Sequence, residues 1–261
     1  MKTTIEGASI EYDVSGEGPG VLLFHAFPLS LFMWDAQVEA LAATHRVVRF
    51  DARGFGGSAP GDGPLTMERI ADDGAGLLDQ LGIEKAVVGG CSMGGYAAFA
   101  FVRRHPQRLA ALVLQDTRAG ADSPEARANR ATLAGKVLAE GASAAVEAFL
   151  PKLLGETTHR ERKALVASLR ERILASSPQG IANALHGLAA RADSRETLPT
   201  ITVPTLVLVG AEDVLTPPAE AATMAAAIPR ARLDVIPGAG HLANLENPSA
   251  ASAALRAFLA R

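Results

Sequence analysis

Three side chains in this sequence could together move a proton and attack a carbonyl: Ser92, Asp213 and His241. A serine hydroxyl alone is a weak nucleophile. It needs a base to take its proton, and the base needs a third group to orient it. Ser92 lies in Gly90-Cys91-Ser92-Met93-Gly94, a G-x-S-x-G pattern. The β-branched pair Val87-Val88 precedes it, and an Ala-rich segment over 96–104 follows. That order predicts a strand turning sharply into a helix. Glycines two before and two after the serine remove Cβ atoms that would clash in such a turn. The hydroxyl is left projecting at a helix N-terminus. Glycine-rich turns between strand and helix also occur without chemistry, so the pattern counts only alongside its partners.

The rest of the chain must supply the scaffold. Residues 3–14 alternate around Gly7-Ala8 and predict a β-hairpin. Val21-Leu22-Leu23-Phe24 is wholly apolar, as a strand covered on both faces would be. The loop His25-Ala26-Phe27-Pro28 follows, then a helix over 32–43 with Trp34, Val38 and Leu41 on one face. Arg46–Phe50 is predicted as a strand, 66–81 as a helix and Leu109–Gln115 as a strand. Buried strands alternating with helices argue for an α/β fold, a mostly parallel sheet flanked by helices with right-handed crossovers.

The alternation then stops. From about 118 to 197 there is no convincing strand. Apolar positions recur at helical spacing instead, among them Leu133, Val137, Leu138, Val146 and Phe149, and Pro124, Pro151 and Pro178 punctuate the helices. This segment reads as an inserted helical cap, residues 118–197, on a core made of 1–117 and 198–261. The sheet resumes at 204–210. A helix over 219–228, a strand over 232–236 and a last helix from 248 complete the core.

In a sheet of this kind, sites form at the C-terminal ends of strands. Ser92 ends the central strand. Asp213, in Gly210-Ala211-Glu212-Asp213, lies just past another. His241, in Pro237-Gly238-Ala239-Gly240-His241, lies past the last. Asp116 also ends a strand and competes with Asp213 for the role of the orienting acid.

On these residues the chain resembles the α/β-hydrolase superfamily over essentially its whole length. The order Ser, Asp, His is the one expected there. The matching stretches are His25-Ala26-Phe27-Pro28-Leu29-Ser30, Asp51-Ala52-Arg53-Gly54-Phe55-Gly56-Gly57-Ser58, Gly90 to Gly95, Gly210 to Asp213 and Gly240-His241. More narrowly, it is similar to small capped bacterial carboxylesterases, with enol-lactonases of aromatic catabolism and cofactor-free haloperoxidases as near neighbours. The resemblance implies Ser92 as nucleophile, His241 as general base and acid, and Asp213 as orienting acid. It also implies an oxyanion hole built from the backbone N–H groups of Phe27 and Met93. The family usually has His-Gly where this chain has His25-Ala26, a departure that bears on where the Phe27 amide points. Serine at the elbow argues against haloalkane dehalogenases and epoxide hydrolases, which need aspartate there.

The remaining chemistry-bearing residues read as structural. Cys91 is expected to turn into the core as a small hydrophobe. His25, Asp51, Arg53 and Ser58 are expected to brace loops near the site, and His45, His105 and His159 to lie on the surface. No His, Cys or carboxylate cluster has metal-ligand spacing, so neither a metal nor a cofactor is expected. With 261 residues, 48% of them hydrophobic, the chain can bury a sizeable core. Its net charge of −3 leaves no basic surplus for nucleic acid. The N-terminus has no apolar h-region and no apolar run reaches about 18 residues, so neither a signal peptide nor a membrane span is expected. One cysteine fits a reducing, cytoplasmic setting. The sequence does not speak to oligomeric state.

The reading is a serine hydrolase acting on small carboxylic esters through an acyl-enzyme. A lactonase, such as a 3-oxoadipate enol-lactonase, and a non-catalytic ligand receptor on the same fold are its rivals. The cap's apolar stripes predict a neutral pocket roof and a preference for short neutral esters over carboxylate-bearing lactones. Arginines such as Arg127, Arg130, Arg162 and Arg172 fall between the apolar positions, as a solvated face would. Arg118 and His186 are the exceptions.

Overall fold

The structure is a computed structural model and describes residues 1–260. The strands are β1 (Lys2–Ile5), β2 (Ala8–Ser15), β3 (Gly20–Phe24), β4 (Arg46–Phe50), β5 (Ala86–Cys91), β6 (Leu109–Gln115), β7 (Thr205–Gly210) and β8 (Ala231–Ile236). They form one sheet in the order β1-β2-β4-β3-β5-β6-β7-β8. The first two joins are antiparallel and the rest are parallel. The hairpin turns at Glu6-Gly7, both with positive φ, which suits the twist of the strands it joins. Every residue of β3, β5 and β7 is buried, as their unbroken apolar runs require.

The helices of the first half are α1 (Asp35–Leu41), α2 (Met67–Gln80) and α3 (Met93–Arg104). From β3 the chain steps to β4 on one side; from β4 and β5 it steps the other way. Right-handed crossovers therefore put α1 on one face of the sheet and α2 and α3 on the opposite face. The reversal falls between β3 and β5, where two loops diverge and leave a crevice at the strands' C-terminal ends. A single helix over 32–43 does not form. A 3₁₀ turn (Leu31–Trp34) precedes α1, and Trp34 is fully buried beneath it. Thr66 caps α2 by accepting the Arg69 amide.

Between β6 and β7 the described residues hold only helices: α4 (Pro124–Glu140), α5 (Ser143–Leu153), α6 (Glu156–Glu161), α7 (Lys163–Leu174), α8 (Pro178–Ala190) and a 3₁₀ turn (Arg195–Thr200). Pro124 and Pro178 open α4 and α8, where a missing N–H costs nothing. Pro151 differs, lying inside the last turn of α5. Close backbone approaches seat α8 on the loop after β4. A Cβ on Gly187 would lie 1.7 Å from the Leu65 carbonyl oxygen, and one on Gly180 would lie 2.1 Å from that of Gly54. The core closes with α9 (Pro218–Ala227), α10 (Ala243–Glu246) and α11 (Pro248–Leu259), of which α11 packs on α1.

Candidate active site

Ser92 stands between β5 and α3 with φ 53° and ψ −112°, a left-handed conformation that a side chain rarely adopts. The flanking glycines explain how it is held. A Cβ on Gly90 would lie 2.0 Å from the Gly94 carbonyl oxygen, and one on Gly94 would lie 2.2 Å from that of Phe24. Only bare backbone lets the strand, the turn and the helix come so close. The Ser92 amide extends the β5–β6 ladder to Gln115, and the Thr117 hydroxyl donates to the Ser92 carbonyl.

The residues 121 and 149 positions further on arrive at this turn. Ser92 Oγ–H donates to His241 Nε2 over 2.7 Å, and His241 Nδ1–H donates to Asp213 Oδ2 over 2.8 Å. His241 and Asp213 are both buried. Asp213 Oδ1 accepts the amides of Leu215 and Thr216, and Oδ2 accepts the Thr216 hydroxyl at 2.6 Å. Burial opposes the charge on this carboxyl most strongly. The hydrogen bonds from His241 and Thr216 and the histidine's charge outweigh it and hold the group below the usual carboxylate range. An ionised Asp213 fixes the imidazole with its proton on Nδ1, leaving Nε2 free to accept.

Asp116 goes elsewhere. Its Oδ1 accepts the Gly210 amide at 2.8 Å and its Oδ2 the Ala243 amide at 3.0 Å. It staples the ends of β6, β7 and α10 together. Burial first, and then the nearby charge of Asp213, push its carboxyl well above the ordinary value.

Phe27 and Met93 line the same cavity as Ser92 and His241. Met93 opens α3, so its amide has no partner within the helix. The loop carrying Phe27 is fixed by His25. The His25 Nε2 accepts the Ala52 amide at 2.9 Å and its Nδ1–H donates to the Ala26 carbonyl. Burial lowers the His25 pKa, against a smaller upward push from Asp51. Ala26 does not take a positive φ, so alanine sits there without backbone strain. Asp51 and Ser58 organise the next loop: Asp51 accepts the Leu31 and Gly57 amides, and Ser58 donates to the Asp51 carbonyl. Arg53 turns away from the site to form a bidentate pair with Asp73 of α2.

Several expectations need correction. His186 is exposed on α8 and does not line the cavity. His45, His105 and His159 lie half-buried at the surface, and His105 pairs with Asp72 at 2.8 Å. Leu138, expected on the packed face of α4, is 52% exposed. Arg130, expected on the solvated face, lines the cavity instead, together with Arg118. The roof expected to be apolar therefore includes Arg130, and Arg118, set apart in the sequence, joins it. Cys91 is buried as expected, its thiol near the His241 carbonyl, and burial pushes its pKa well up.

No functional role was assigned from sequence to Thr216, Arg130, Glu212 or Glu246. Only Arg130 carried a usable signal, since it lies four and seven residues before Ala134 and Val137, the buried positions of α4. The cavity above Ser92 measures about 70 Å³. A larger groove of about 580 Å³ lies at the opposite end of the strands, beside Pro19 and Thr205, but its lining has neither a serine nor a carboxylate. Among the described residues no group of three or more His, Cys, Asp or Glu is placed to hold a metal ion, and no helix is long and apolar enough to cross a membrane.

Comparison with known proteins agrees with this architecture. Residues 19–248 match a family described as alpha/beta hydrolase fold. A thermophilic esterase from Thermogutta terrifontis, determined with malate bound, superposes with a TM-score of 0.96 at 45% identity, covering 99% of this chain and 96% of that one. The enol-lactonase from Burkholderia xenovorans LB400 superposes with a TM-score of 0.93 at 32% identity, over the full length of both chains. By sequence, 3-oxoadipate enol-lactonase 2 of Acinetobacter baylyi is 28% identical over 99% of this chain and 96% of its own.

Proposed function

The chain belongs to the alpha/beta hydrolase family, and from that premise we propose that it is a serine hydrolase of small carboxylic esters working through an acyl-enzyme. The observation that carries this reading is the relay Ser92–His241–Asp213, with links of 2.7 and 2.8 Å, opening on a cavity. In this reading Ser92 Oγ attacks the ester carbonyl while His241 Nε2 takes its proton. The negative oxygen of the tetrahedral adduct is met by the Phe27 and Met93 amides, each worth about 3–4 kcal/mol at the transition state. His241 then gives its proton to the leaving alcohol. A water, deprotonated by the same imidazole, releases the acid and restores the serine. Asp213 stays ionised throughout and holds the ring.

Residues 118–197 act as the cap over this site. The single cysteine, buried and without a disulfide partner, supports a reducing, cytoplasmic setting.

A lactonase is the second reading, favoured by the two arginines in the cavity wall and by the enol-lactonase relatives. Both readings share the nucleophile and the relay. A panel of p-nitrophenyl esters of increasing chain length, assayed beside 3-oxoadipate enol-lactone, separates them. Turnover of short esters, abolished in Ser92→Ala, supports the esterase. A kcat/KM for the lactone about a hundredfold above that for p-nitrophenyl butyrate, roughly 2.7 kcal/mol of transition-state preference, replaces it with the lactonase. A folded protein inert to both, and to serine-directed fluorophosphonates, is the receptor.

A further inference from the structure

We infer that Arg118 and Arg130 form an anion subsite beside Ser92, and that the preferred substrates carry a second, free carboxylate a short chain away from the ester or lactone carbonyl. The inference rests on Ser92 being the nucleophile, as proposed above.

Arg118 and Arg130 both line the cavity that contains Ser92 and His241, and the lining includes no carboxylate. The rest of the wall is largely apolar, with Phe149, Leu153 and Leu188 among its residues. The Arg130 side chain is mostly buried and that of Arg118 is 36% exposed, so attraction to an anion is stronger at this wall than in open water. The two side chains are held but not satisfied. Asp122 fixes Arg130 through its Nε at 2.5 Å, and neither terminal nitrogen of Arg130 has a protein partner among the described residues. Arg118 donates through one terminal nitrogen to the Leu215 carbonyl. Its Nε is buried without a hydrogen bond, and Glu220 stands 3.7 Å away.

The charges behind the wall do not cancel the pair. The second oxygen of Asp122 is taken by Arg191 at 2.6 Å, and the Arg191 guanidinium lies 4.2 Å from the Tyr96 ring centroid. Three guanidiniums thus face two carboxylates, Asp122 and Glu220, which leaves one positive charge without a counterpart. A substrate carboxylate supplies it, with the planar, multi-donor geometry that arginine recognises best. Ser92 and both arginines share one small cavity of about 70 Å³, which suits a short chain between the two substrate groups.

The test compares monomethyl succinate with methyl butyrate, followed by proton release at constant pH. Wild-type protein should turn over the anionic half-ester with a kcat/KM at least tenfold higher. Arg118→Gln and Arg130→Gln should each lower the ratio of the two kcat/KM values about tenfold or more, chiefly through KM, and added salt should lower it in the wild type. If one variant fails to fold, the other still decides. Ser92-dependent turnover of both esters with no preference for the anion, or a ratio unmoved in the variants, would overturn the subsite while leaving the hydrolase standing. Turnover of neither ester together with no reaction toward fluorophosphonate overturns the hydrolase itself, and the subsite with it.

Discussion

The Gly155 amide donates to the Glu246 carboxylate over 2.7 Å. The same carboxylate accepts the amides of Gly240 and Leu242, the two neighbours of His241. One side chain therefore ties the turn between α5 and α6 to the loop that presents the proposed base. Thr157 makes the matching link on the acid side. Its amide and hydroxyl donate to Glu212, next to Asp213, at 2.9 and 2.6 Å. Glu246→Gln keeps the shape but turns an amide NH₂ toward N–H donors, leaving buried groups unmet at a cost of about 1–3 kcal/mol. The expected result is a lower melting temperature and a kcat reduced roughly tenfold, with a smaller change in KM, because the histidine is displaced rather than the pocket. Steady-state kinetics beside a melting curve read this. A kcat equal to wild type in a folded variant would remove Glu246 from the positioning of His241.

The two aspartates at strand ends should separate by phenotype. Asp213→Asn replaces the charged acceptor with an amide whose NH₂ can donate to Nδ1 and favour the wrong tautomer, and kcat should fall by roughly three to four orders of magnitude. Asp116→Asn breaks a staple between strand ends, so its loss should appear first in stability, by about 1–3 kcal/mol. Kinetics and denaturant titration on both variants check this. Comparable losses of kcat would reopen the choice of acid.

Much of this site was legible in the sequence, for reasons that are local. A serine at positive φ between backbone segments in contact demands Gly90 and Gly94, and that demand is written as a pattern. Strands buried on both faces demand unbroken apolar runs, and β3, β5 and β7 have them. What was not legible depends on tertiary partners. Nothing near Glu246 in sequence says that its carboxylate will meet Gly155, 91 residues away. The helices between β6 and β7 misled for another reason. In α4 only Ala134 and Val137 are fully buried, so Leu133 and Leu138 drew the apolar stripe about a third of a turn off and put Arg130 on the wrong face. In α8 the stretch Gly180–Leu188 is buried apart from His186, which points out.

Acid should weaken the wall behind the cavity. Burial by itself disfavours the Asp122 charge, but the hydrogen bond from Arg130 and the charges of Arg130 and Arg191 outweigh it and lower the pKa below 3.8. The folded chain then binds fewer protons than the unfolded one. This contribution to stability is complete above the unfolded value, about 4, and is lost as pH falls through the folded value. Wild-type melting temperature should drop below about pH 4 more steeply than that of Asp122→Asn, which should already be lower at pH 7. Parallel curves from pH 7 to pH 3 would contradict it.

Cys91 tests the register of the turn. Its thiol is buried and inert, so Cys91→Ala should cost about 1 kcal/mol of packing and keep kcat/KM for a short ester within roughly threefold. Loss of activity in that variant, with activity retained in Ser92→Ala, would move the nucleophile by one residue.

The central claim is that Ser92 becomes acylated with His241 as its base. The most direct measurement is the intact mass of the protein after treatment with a fluorophosphonate, followed by peptide mapping. One adduct is expected, on Ser92, absent in Ser92→Ala and slowed by at least roughly a thousandfold in His241→Ala. An adduct on any other residue, or ester turnover at the wild-type rate by Ser92→Ala, would contradict the account.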